Sequence, residues 1–445
     1  VLRYQATGDL SFGLLDEHDT HLYTWLIMIG LMLLGFPMMV PMLVATLAGF
    51  LLYLPNLRTD IIIQQMISGI SPVALITVPM FILAADIVTR GRTANRLLDL
   101  AMTFFGHIRG GLAVTAALSC TMFGAISGST QATVVAIGGP LRPRMLKRGY
   151  DDKFTIALII NASDIAFLIP PSIGMIVFGI VGKVSIAELF LAGIGPGLLI
   201  LVLFSAYSVW YAWRKDLPLH PRASWKERLA AMRKAALATM FPVLIVGGLF
   251  TGMFSPTEVA AMAVLYAVIL EVFIHRAVKL RELPAIAYST GLITGIVFIL
   301  VGAGAAFSWL ISFAQIPQQI IAGLGLADAG PYTIIFAICV AFFIGCMFVD
   351  SIVVTLILTP VFMPLVLAAG IDPVLIGAVV TLQMAIGSAT PPFGCDIFTA
   401  CAVFRKPYLD VIAGTPPFIF LLLFASLLMV IFPQIALFLP TLAFR

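Results

Sequence analysis

The sequence predicts an all-α polytopic membrane protein with two inverted-topology repeats, each containing a re-entrant helical hairpin and a Pro-Pro-broken helix. Three observations lead to this prediction. The 445-residue chain is 61% hydrophobic and only 10% charged, whereas a soluble domain carries about 25% charged residues. Apolar runs long enough to cross a bilayer recur along the chain. Two distant stretches share the same polar and proline pattern, while the loops beside them differ in charge.

The composition excludes several classes of protein. Lipid must surround most of the chain, which rules out a soluble enzyme, a secreted disulfide scaffold, a disordered regulator and a nucleic-acid-binding module. The net charge of +4 comes mostly from a few loops and indicates no nucleic-acid partner. The five cysteines lie in apolar segments without a CxxC pair and are predicted to be buried thiols. Targeting is expected to depend on the spans, because no cleavable signal peptide is apparent.

The first apolar segment, 22–54, is too long for one straight crossing. Gly35, Pro37 and Pro41 lie in its middle, so the sequence leaves open two short helices or one kinked helix. The later apolar segments lie at 72–88, 99–128, 130–139, 154–182, 188–212, 237–253, 257–274, 288–313, 332–349, 352–369, 373–404 and 412–439.

Clustered basic residues predict the orientation of the chain. Loop 139–153 contains five Lys and Arg residues and loop 213–236 contains seven, so the positive-inside rule places both in the cytoplasm. Segment 221–237 has an apolar helical face and predicts an amphipathic helix on the membrane surface, with a solvated linker as the alternative. Stretches poor in basic residues are predicted to face the other side: 54–71, 253–257, 314–331 and 360–373.

The two repeats share residues at matched spacing. The first has GAISGST at 124–130, a Gly-x-Asp turn at 149–151 and Pro170-Pro171; the second has GCMFVDS at 345–351, a Gly-x-Asp turn at 370–372 and Pro391-Pro392. Since loop 139–153 is basic and 360–373 has no basic residue, the two units are predicted to cross the membrane in opposite senses, as in secondary transporters. The alternative is two independent hairpins with helix-breaking prolines.

Each double proline removes two backbone donors. The carbonyls of Ala166 and Phe167, and those of Gly387 and Ser388, should therefore lose their helical partners. Such backbone is stable in a membrane only when it faces a cavity or a ligand. Free carbonyls suit Na⁺, and the N-terminus of a resumed half-helix suits a carboxylate. The two breaks therefore predict a cation and anion site near the membrane midplane.

Small and polar residues end the segment before each break. Ser127, Gly128, Ser129 and Thr130 form the first tip, and Asp350 and Ser351 form the second tip. Each tip is expected to meet the break of its own repeat; the alternative is that small residues only allow close helix packing.

Acidic residues within a membrane are functional candidates by default. Asp164 and Asp350 are the strongest of the four, the others being Asp86 and Asp396. For Asp86, a structural partner such as Arg90, one turn further on, is an equal alternative to an ion role.

The energy source is expected to be an ion gradient. The chain has no GxxxxGK[ST] loop, which argues against ATP hydrolysis, and no organic cofactor is expected. Each positive charge that enters gains about 2.3 kcal/mol per 100 mV, and each negative charge loses as much. Accumulating a carboxylate therefore favours two or more Na⁺ per substrate.

The chain resembles the large membrane subunit of tripartite ATP-independent periplasmic (TRAP) transporters, the family of the C4-dicarboxylate and sialic acid systems. The resemblance covers nearly the whole chain. Its most specific stretches are GAISGST (124–130), LIPPSIGMIVFG (168–179), FLAGIGPGLL (190–199), SPTEVAA (255–261), LTPVFMPL with GIDP (358–373) and AIGSATPPFG (385–394).

This resemblance implies a multi-pass protein of the bacterial inner membrane that is not an enzyme. It implies Na⁺-coupled uptake of a small organic acid by an elevator mechanism. The implied partners are a small four-helix membrane subunit and a periplasmic solute-binding protein. It also implies a division into N-terminal scaffold helices (1–88), a first transport-domain repeat (89–187), scaffold helices with a cytoplasmic amphipathic arm at 213–236 (188–331), a second transport-domain repeat (332–404) and a C-terminal scaffold helix (405–445).

The resemblance also implies the site residues. Na⁺ is expected where each tip meets its break, at Ser127, Ser129, Asn161 and Pro170 in the first repeat and at Gly345, Asp350, Ser351, Gly387, Thr390 and Pro391 in the second. Substrate contacts are predicted at Ser127, Gly128, Ser129, Thr130, Asp164, Ser172, Thr390 and Phe393.

One departure from the family pattern concerns the substrate. Family members usually have Gly-Thr-Leu-Gly or similar before Ile-Pro-Pro-Ser, whereas this chain has Ser163-Asp164-Ile165-Ala166. The added acid could face an ammonium or amidinium group of a zwitterionic compatible solute, or bind a cation.

Three alternatives to this function remain. The first is a stand-alone divalent-anion/Na⁺ symporter that needs no receptor. An intramembrane hydrolase with Ser127 or Ser129 as nucleophile is disfavoured, because neither has an intramembrane His or Lys base nearby. A channel is also disfavoured, because paired hairpins are an unusual way to build a pore.

Overall fold

The computed structural model describes residues 24, 26–32, 34, 36–54, 58–219, 221–315, 318–319, 323, 325–326 and 329–444. These residues form helices joined by short turns, with no β-strand among them. Six of the described helices are long and apolar enough to cross a membrane, or up to eight spans if each bent helix pair counts as one. The all-α fold expected from composition is confirmed.

The N-terminal apolar segment forms two helices within its described part. Residues 26–32 are helical, the chain leaves the helix at 36–38 around Pro37, and a second helix runs over Met39–Tyr53. Helix Asp60–Ile70 follows and bends by 63° into Val73–Thr89. Stretch 54–71, which lies between two of the apolar segments, is therefore largely helical in its described part, because its scattered Gln and Ser residues lower hydropathy without breaking a helix.

The first repeat contains a hairpin and a broken helix. Helix Thr93–Phe105 leads into the first arm of the hairpin, Gly111–Ser127. The second arm consists of Thr130–Thr133, a π-helical turn Val134–Gly138 and Gly139–Leu146. The broken helix consists of Asp152–Ser163, a 3₁₀ turn Asp164–Phe167 and Ile173–Gly182. The basic loop expected at 139–153 is thus mostly helix, since Pro140 is tolerated in a first helical turn.

The second repeat has the same order of parts. Its hairpin arms are Pro331–Phe348 and Ser351–Ala368, and its broken helix consists of Pro373–Ser388 and Cys395–Phe404. The half-helices after the breaks have only 10 residues each, too short to cross a bilayer core of about 30 Å. One end of each half-helix must therefore lie inside the membrane, as expected for breaks at depth.

The expected Gly-x-Asp turns begin both broken helices. Gly149 and Gly370 adopt the left-handed conformation, with φ of 83° and 65°. Asp151 and Asp372 then cap the following helix, each accepting the backbone N–H two residues further on, at 2.9 and 2.8 Å. Both Pro-Pro bonds are cis. The repeats inferred from sequence spacing therefore share local geometry as well as order.

The remaining helices surround these repeats. Segment 221–237 is not a separate amphipathic helix but the beginning of the continuous helix Trp225–Phe250. This polar, Ala-rich beginning contains no Gly or Pro that would interrupt the helix before the apolar part. The helix is therefore continuous although the two parts differ in hydropathy. The other helices are Ile186–Arg214, Pro256–Val268 with a π-helical turn Ile269–Ile274, Leu283–Phe313, Tyr408–Ile412, Pro416–Ile431 and Gln434–Phe444.

The single C-terminal helix expected over 405–445 is instead a short helix and a bent pair. Pro416–Ile431 and Gln434–Phe444 meet at 54°, with Pro433 at the bend. Helix Ile186–Arg214 packs on both the first hairpin and the second broken helix. Because it contacts both repeats, the division into transport domain and scaffold stays a prediction.

A buried carboxylate in the π-helical turn Ile269–Ile274 binds the start of helix Thr93–Phe105. Glu271 accepts the backbone N–H groups of Arg92 and Thr93, at 3.1 and 3.2 Å, and the Thr93 hydroxyl. His275 lies beside it, with Nδ1 3.2 Å from the carboxylate, and its Nε2 contacts the Arg96 guanidinium. Burial lowers the pKa of His275, which favours a neutral ring that can accept a bond from Arg96.

Candidate functional site

The first tip lies directly on the first break. Gly128 ends the first hairpin arm with φ of 60°, and a Cβ at this position would lie 2.4 Å from the Pro171 carbonyl oxygen. One turn earlier, a Cβ at Gly124 would lie 2.7 Å from the Ala166 Cβ. The expectation that this tip meets its own break is therefore correct, and Gly128 permits the approach.

Hydroxyl groups cluster within the first tip. The Ala132 N–H donates to Ser129 Oγ at 3.3 Å, so Ser129 caps the short helix that follows. Ser127 Oγ lies 3.2 Å from Thr133 Oγ1 and 3.3 Å from the Ser129 carbonyl oxygen. Ser127 is buried. The tip thus brings several oxygen atoms together beside the broken helix, which suits a small cation.

Asn161 has a side-chain oxygen without a partner. Its Nδ2 donates to the Ala157 carbonyl at 2.8 Å, and the residue is fully buried. Its Oδ1 accepts no hydrogen bond from any described residue. A buried amide oxygen left unpaired is costly unless something binds it. Ser172, at the other side of the break, caps helix Ile173–Gly182 by accepting the Met175 N–H at 3.3 Å.

The second tip also contacts its own break. Asp350 caps helix Ser351–Ala368 by accepting the Ile352 N–H at 2.9 Å. The Phe393 N–H donates to the Met347 carbonyl at 3.1 Å. The rings of Phe348 and Phe393 are 6.1 Å apart. The second hairpin end and second break are therefore joined by backbone and aromatic contacts.

In both repeats a glycine allows the hairpin and the broken helix to approach closely, but the glycine lies on opposite partners in the two repeats. In the first repeat the glycine is on the hairpin, at Gly124, and faces Ala166 of the broken helix. In the second repeat the glycine is on the broken helix, at Gly387, where a Cβ would lie 2.3 Å from the Cys346 Cβ of the hairpin. Each junction has room for one Cβ.

One expected free carbonyl has a partner. The Gly387 carbonyl accepts the Thr390 N–H at 3.1 Å, because the chain turns tightly before the prolines. Gly345, another predicted Na⁺ ligand, accepts the Val349 N–H at 2.9 Å. A carbonyl oxygen has two lone pairs, so neither contact prevents ion binding, but the Gly387 oxygen is not unpaired as predicted. Thr390 and Ser351 are buried at the same junction.

Two buried carboxyl groups connect the repeats. Ser388 Oγ donates to Asp164 Oδ1 at 2.9 Å, and Thr130 Oγ1 donates to Asp396 Oδ1 at 2.7 Å. Each of these two bonds joins a residue of one repeat to a residue of the other. Both aspartates are 0% exposed. We call Asp164 and Asp396 the acid pair; it joins the first tip and both broken helices.

A second contact joins the repeats at the end that carries the basic residues. Arg142, on the second arm of the first hairpin, donates two bonds to Asp152, at 2.6 and 2.8 Å. Lys406, which follows the second broken helix, lies 3.1 Å from the same carboxylate. The repeats are therefore connected at two levels, through the acid pair and through this ionic contact.

Comparison with known proteins identifies the family. The sequence matches the family described as "Tripartite ATP-independent periplasmic transporter, DctM component" over residues 25–435. The chain belongs to this family. It is therefore a large TRAP permease subunit, a multi-pass protein of the bacterial inner membrane and not an enzyme.

Three curated relatives illustrate the range of the family. The ectoine/5-hydroxyectoine TRAP transporter large permease protein UehC of Ruegeria pomeroyi is 64% identical over 421 residues, covering 94% of this chain and 98% of that protein. The ectoine TRAP transporter large permease protein TeaC of Halomonas elongata is 63% identical over 419 residues, with the same coverage. The C4-dicarboxylate TRAP transporter large permease protein DctM of Pseudomonas aeruginosa is 35% identical over 366 residues, covering 82% and 86%.

A solved structure supports the fold. The crystal structure of the YdaH transporter of Alcanivorax borkumensis, described as having an unusual topology, matches with a TM-score of 0.67. The match covers 94% of this chain and 98% of that one, at 16% sequence identity. At this identity the match concerns architecture alone.

The sequence predicts the tips and breaks of this large permease but misses part of the acid pair. The sequence distinguishes Asp396 only as one of four intramembrane acids, and Ser388 only for its carbonyl. The signal for Asp396 was an acid in an apolar run four residues after Pro392. Asp86 is a different case: it accepts the Thr290 hydroxyl at 2.9 Å, so its partner is Thr290 and not Arg90, which is exposed.

Proposed function

We propose that this large permease takes up a zwitterionic compatible solute of the ectoine type, coupled to Na⁺. The observation that carries the solute class is the identity of 63–64% over 94% of the chain to two permeases named for ectoine, against 35% for one named for C4-dicarboxylate. Ectoine carries a carboxylate and an amidinium group. It is therefore a small organic acid whose net charge is zero.

The net charge of the solute determines how many Na⁺ ions its accumulation requires. A zwitterion gains and loses nothing from the membrane potential, unlike a dicarboxylate. Each co-transported Na⁺ contributes about 2.3 kcal/mol per 100 mV of inside-negative potential, besides its concentration gradient. A single Na⁺ would then suffice to accumulate the solute, which relaxes the requirement for two or more ions that a carboxylate anion imposes.

The two junctions of tip and break are the proposed Na⁺ sites. Their support is the buried, unpartnered Asn161 oxygen and the hydroxyls collected at the first tip. At the second junction, the carbonyls of Gly345 and Gly387 and the Asp350 carboxylate supply hard oxygen atoms. Such oxygens are suited to Na⁺ in transporter sites formed by broken helices.

We further propose that the two repeats move as one body in an elevator mechanism. The acid pair and the contact of Asp152 with Arg142 and Lys406 connect them at two levels. A solute delivered by a periplasmic solute-binding protein would be accepted between the repeats. The small four-helix membrane subunit would complete the static part.

Reconstitution tests this proposal. The permease, small subunit and receptor are placed in proteoliposomes, and ectoine uptake is measured with an inward Na⁺ gradient or an equal K⁺ gradient. Uptake should require Na⁺ and the receptor, and succinate should not compete. Uptake without the receptor would favour the stand-alone symporter, and flux that ignores the Na⁺ gradient would contradict ion coupling.

Asn161→Leu tests the first Na⁺ site. Removing the unpaired oxygen should raise the Na⁺ concentration for half-maximal uptake by about tenfold, equivalent to about 1.4 kcal/mol. The matched control is Gln383→Leu, another buried amide with an unpartnered oxygen. Its Nε2 bonds Ser426 of the C-terminal helix pair at 2.7 Å, away from the tips. Equal changes in both variants would argue against a Na⁺ role for Asn161.

A further inference from the structure

We propose that the permease binds an anionic phospholipid between helix Thr93–Phe105, the first hairpin and the beginning of helix Trp225–Phe250. The lipid phosphate binds Arg228, and an acyl chain fills an apolar cavity beside that residue. This inference goes beyond the proposed function, because it concerns neither the solute nor Na⁺.

Arg228 has a hydrogen-bonding edge without a partner. Its Nε and Nη2 atoms are buried and have no acceptor among the described residues. The same two atoms of Arg142 donate to the two carboxylate oxygens of Asp152, at 2.6 and 2.8 Å. They form the edge of a guanidinium group that binds carboxylates and phosphates through two parallel hydrogen bonds. Since buried donors without an acceptor are costly, this edge favours the binding of an anion.

The neighbouring side chains do not provide that anion. The Cζ atom of Arg228 lies 5.6 Å from the centre of the Phe104 ring and 5.1 Å from that of the Trp225 ring. Such contacts attract the positive charge but offer no oxygen acceptor. The adjacent carboxylate, Glu227, accepts the N–H and hydroxyl groups of Ser224 at 2.7 and 3.0 Å. Within the described part of the chain it forms no ion pair with Arg228.

An apolar cavity of about 390 Å³ adjoins Arg228. Phe104 contacts the guanidinium and also lines the cavity. Met232 and Ala236 line it as well, and they follow Arg228 at intervals of four residues, which places all three on one face of the helix. The opposite wall is formed by Leu100 of helix Thr93–Phe105 and by Leu118 and Met122 of the first hairpin. These walls suit a hydrocarbon chain.

A second apolar cavity, of about 630 Å³, adjoins the first. Phe105 and Leu118 line both cavities, and the second is completed by residues of helix Ile186–Arg214, among them Val202 and Val209. A phospholipid has two acyl chains, so two adjoining apolar cavities suit it better than they suit a single-chain amphiphile.

The surface around the first cavity is accessible to lipid. Phe105 and Met232, which line it, are 40% and 50% exposed. Trp225 is 79% exposed, and exposed side chains change rotamer rapidly. A phosphate can therefore reach the guanidinium when the Trp225 ring moves aside.

The charge of this surface favours an anionic lipid. Four further basic residues near the beginning of helix Trp225–Phe250 are exposed: Arg222, Lys226, Arg233 and Lys234. Basic residues beside a membrane attract anionic headgroups, each contributing about 1 kcal/mol near the surface. A soluble phosphate compound would use Arg228 but not the cavities. A helix of the small subunit would have to carry a carboxylate at this position.

Native mass spectrometry of the permease with its small subunit tests the site. The detergent-purified complex is titrated with dioleoyl phosphatidylglycerol, with dioleoyl phosphatidylcholine and with glycerol 3-phosphate. Phosphatidylglycerol should bind most tightly, because it combines a net negative charge with two long acyl chains. Phosphatidylcholine that binds as tightly would contradict selection for an anionic lipid. Glycerol 3-phosphate that binds as tightly would show that the site recognises phosphate alone.

Arg228→Gln should weaken phosphatidylglycerol binding by about tenfold, because two charge-assisted hydrogen bonds are lost. Arg233→Gln is the matched control, since Arg233 is exposed on the same helix and does not line the cavity. Its effect should be about twofold at most, as expected for one exposed charge. Equal weakening in both variants would overturn the inference, because it would indicate attraction by net charge without a site.

The cavity is tested separately from the charge. Ala236→Phe adds a ring to the cavity wall and leaves Arg228 unchanged, so phosphatidylglycerol binding should fall while the thermal unfolding temperature without lipid stays near that of wild type. Shortening the acyl chains to dihexanoyl weakens binding to wild-type protein for the same reason and requires no variant. Dihexanoyl and dioleoyl lipids that bind equally would overturn the role of the cavity. Lipid binding that occurs in the permease alone and disappears in the complex would assign this surface to the small subunit instead.

Discussion

Gly128→Ala is expected to lower solute uptake by about tenfold or more. A left-handed backbone costs a residue with a Cβ about 1–2 kcal/mol, and Gly128 has φ of 60°. In addition, the new Cβ would lie 2.4 Å from the Pro171 carbonyl oxygen, a backbone atom that cannot rotate away. The tip must therefore move off the first break, which separates the oxygens proposed to bind Na⁺.

The measurement is the initial rate of uptake in proteoliposomes, normalised to the amount of inserted permease. Gly139→Ala is the control, because this position lies on the second arm of the same hairpin, has a helical backbone and has no atom within 4 Å of an added Cβ. Its uptake should stay within about twofold of wild type, since Ala favours a helix. Wild-type uptake in Gly128→Ala would mean that tip and break need not touch.

Gly387→Ala is expected to have an effect of similar size at the second junction. The added Cβ would lie 2.3 Å from the Cys346 Cβ and 2.8 Å from the Cys346 carbonyl carbon. Overlap of this kind typically costs about 1–3 kcal/mol. The thermal unfolding temperature in detergent and the rate of uptake should both fall.

The double variant Cys346→Gly/Gly387→Ala is the decisive comparison. It gives the second junction the arrangement of the first, with glycine on the hairpin and alanine on the broken helix. At least part of the lost stability and uptake should return, because the larger overlap is removed. The single variant Cys346→Gly should have a smaller effect than Gly387→Ala, as it creates a small void rather than an overlap. No recovery in the double variant would show that the backbone contact sets the limit.

The tips and breaks could be predicted because they violate the chemistry of a lipid-embedded helix. Adjacent prolines, as at Pro170 and Pro391, and short polar stretches in apolar runs are visible without any knowledge of packing. The Gly-x-Asp turns were recognisable for the same reason, since Asp151 and Asp372 perform a local capping function. The family resemblance then placed the ligands on these local signals.

The acid pair could not be predicted in the same way. Asp164 and Asp396 are 232 residues apart, and the hydrogen bonds that join each of them to the other repeat depend on how the two repeats pack. Sequence spacing within one repeat contains no information about that packing. Asp164 departs from the family pattern and is therefore distinctive in the sequence, whereas the link of Asp396 to the first tip depends on tertiary packing.

Errors in helix boundaries had a different cause. Hydropathy indicates where the chain leaves the lipid, but it does not indicate where a helix ends. Helix Trp225–Phe250 begins before the apolar segment because Ala, Lys and Arg are good helix formers. The basic residues of Gly139–Leu146 likewise predict a loop between apolar segments, although the segment is helical. Conversely, Pro433 bends the C-terminal segment although hydropathy hardly changes there.

The reciprocal glycines couple substitutions on the two faces of each junction. Gly124 faces Ala166 and Cys346 faces Gly387, so each contact combines a glycine with one residue that has a Cβ. Glycine on both sides would leave only a small gap, whereas side chains on both sides could not close. A larger residue on one face can therefore be accommodated only by a compensating loss of volume on the other.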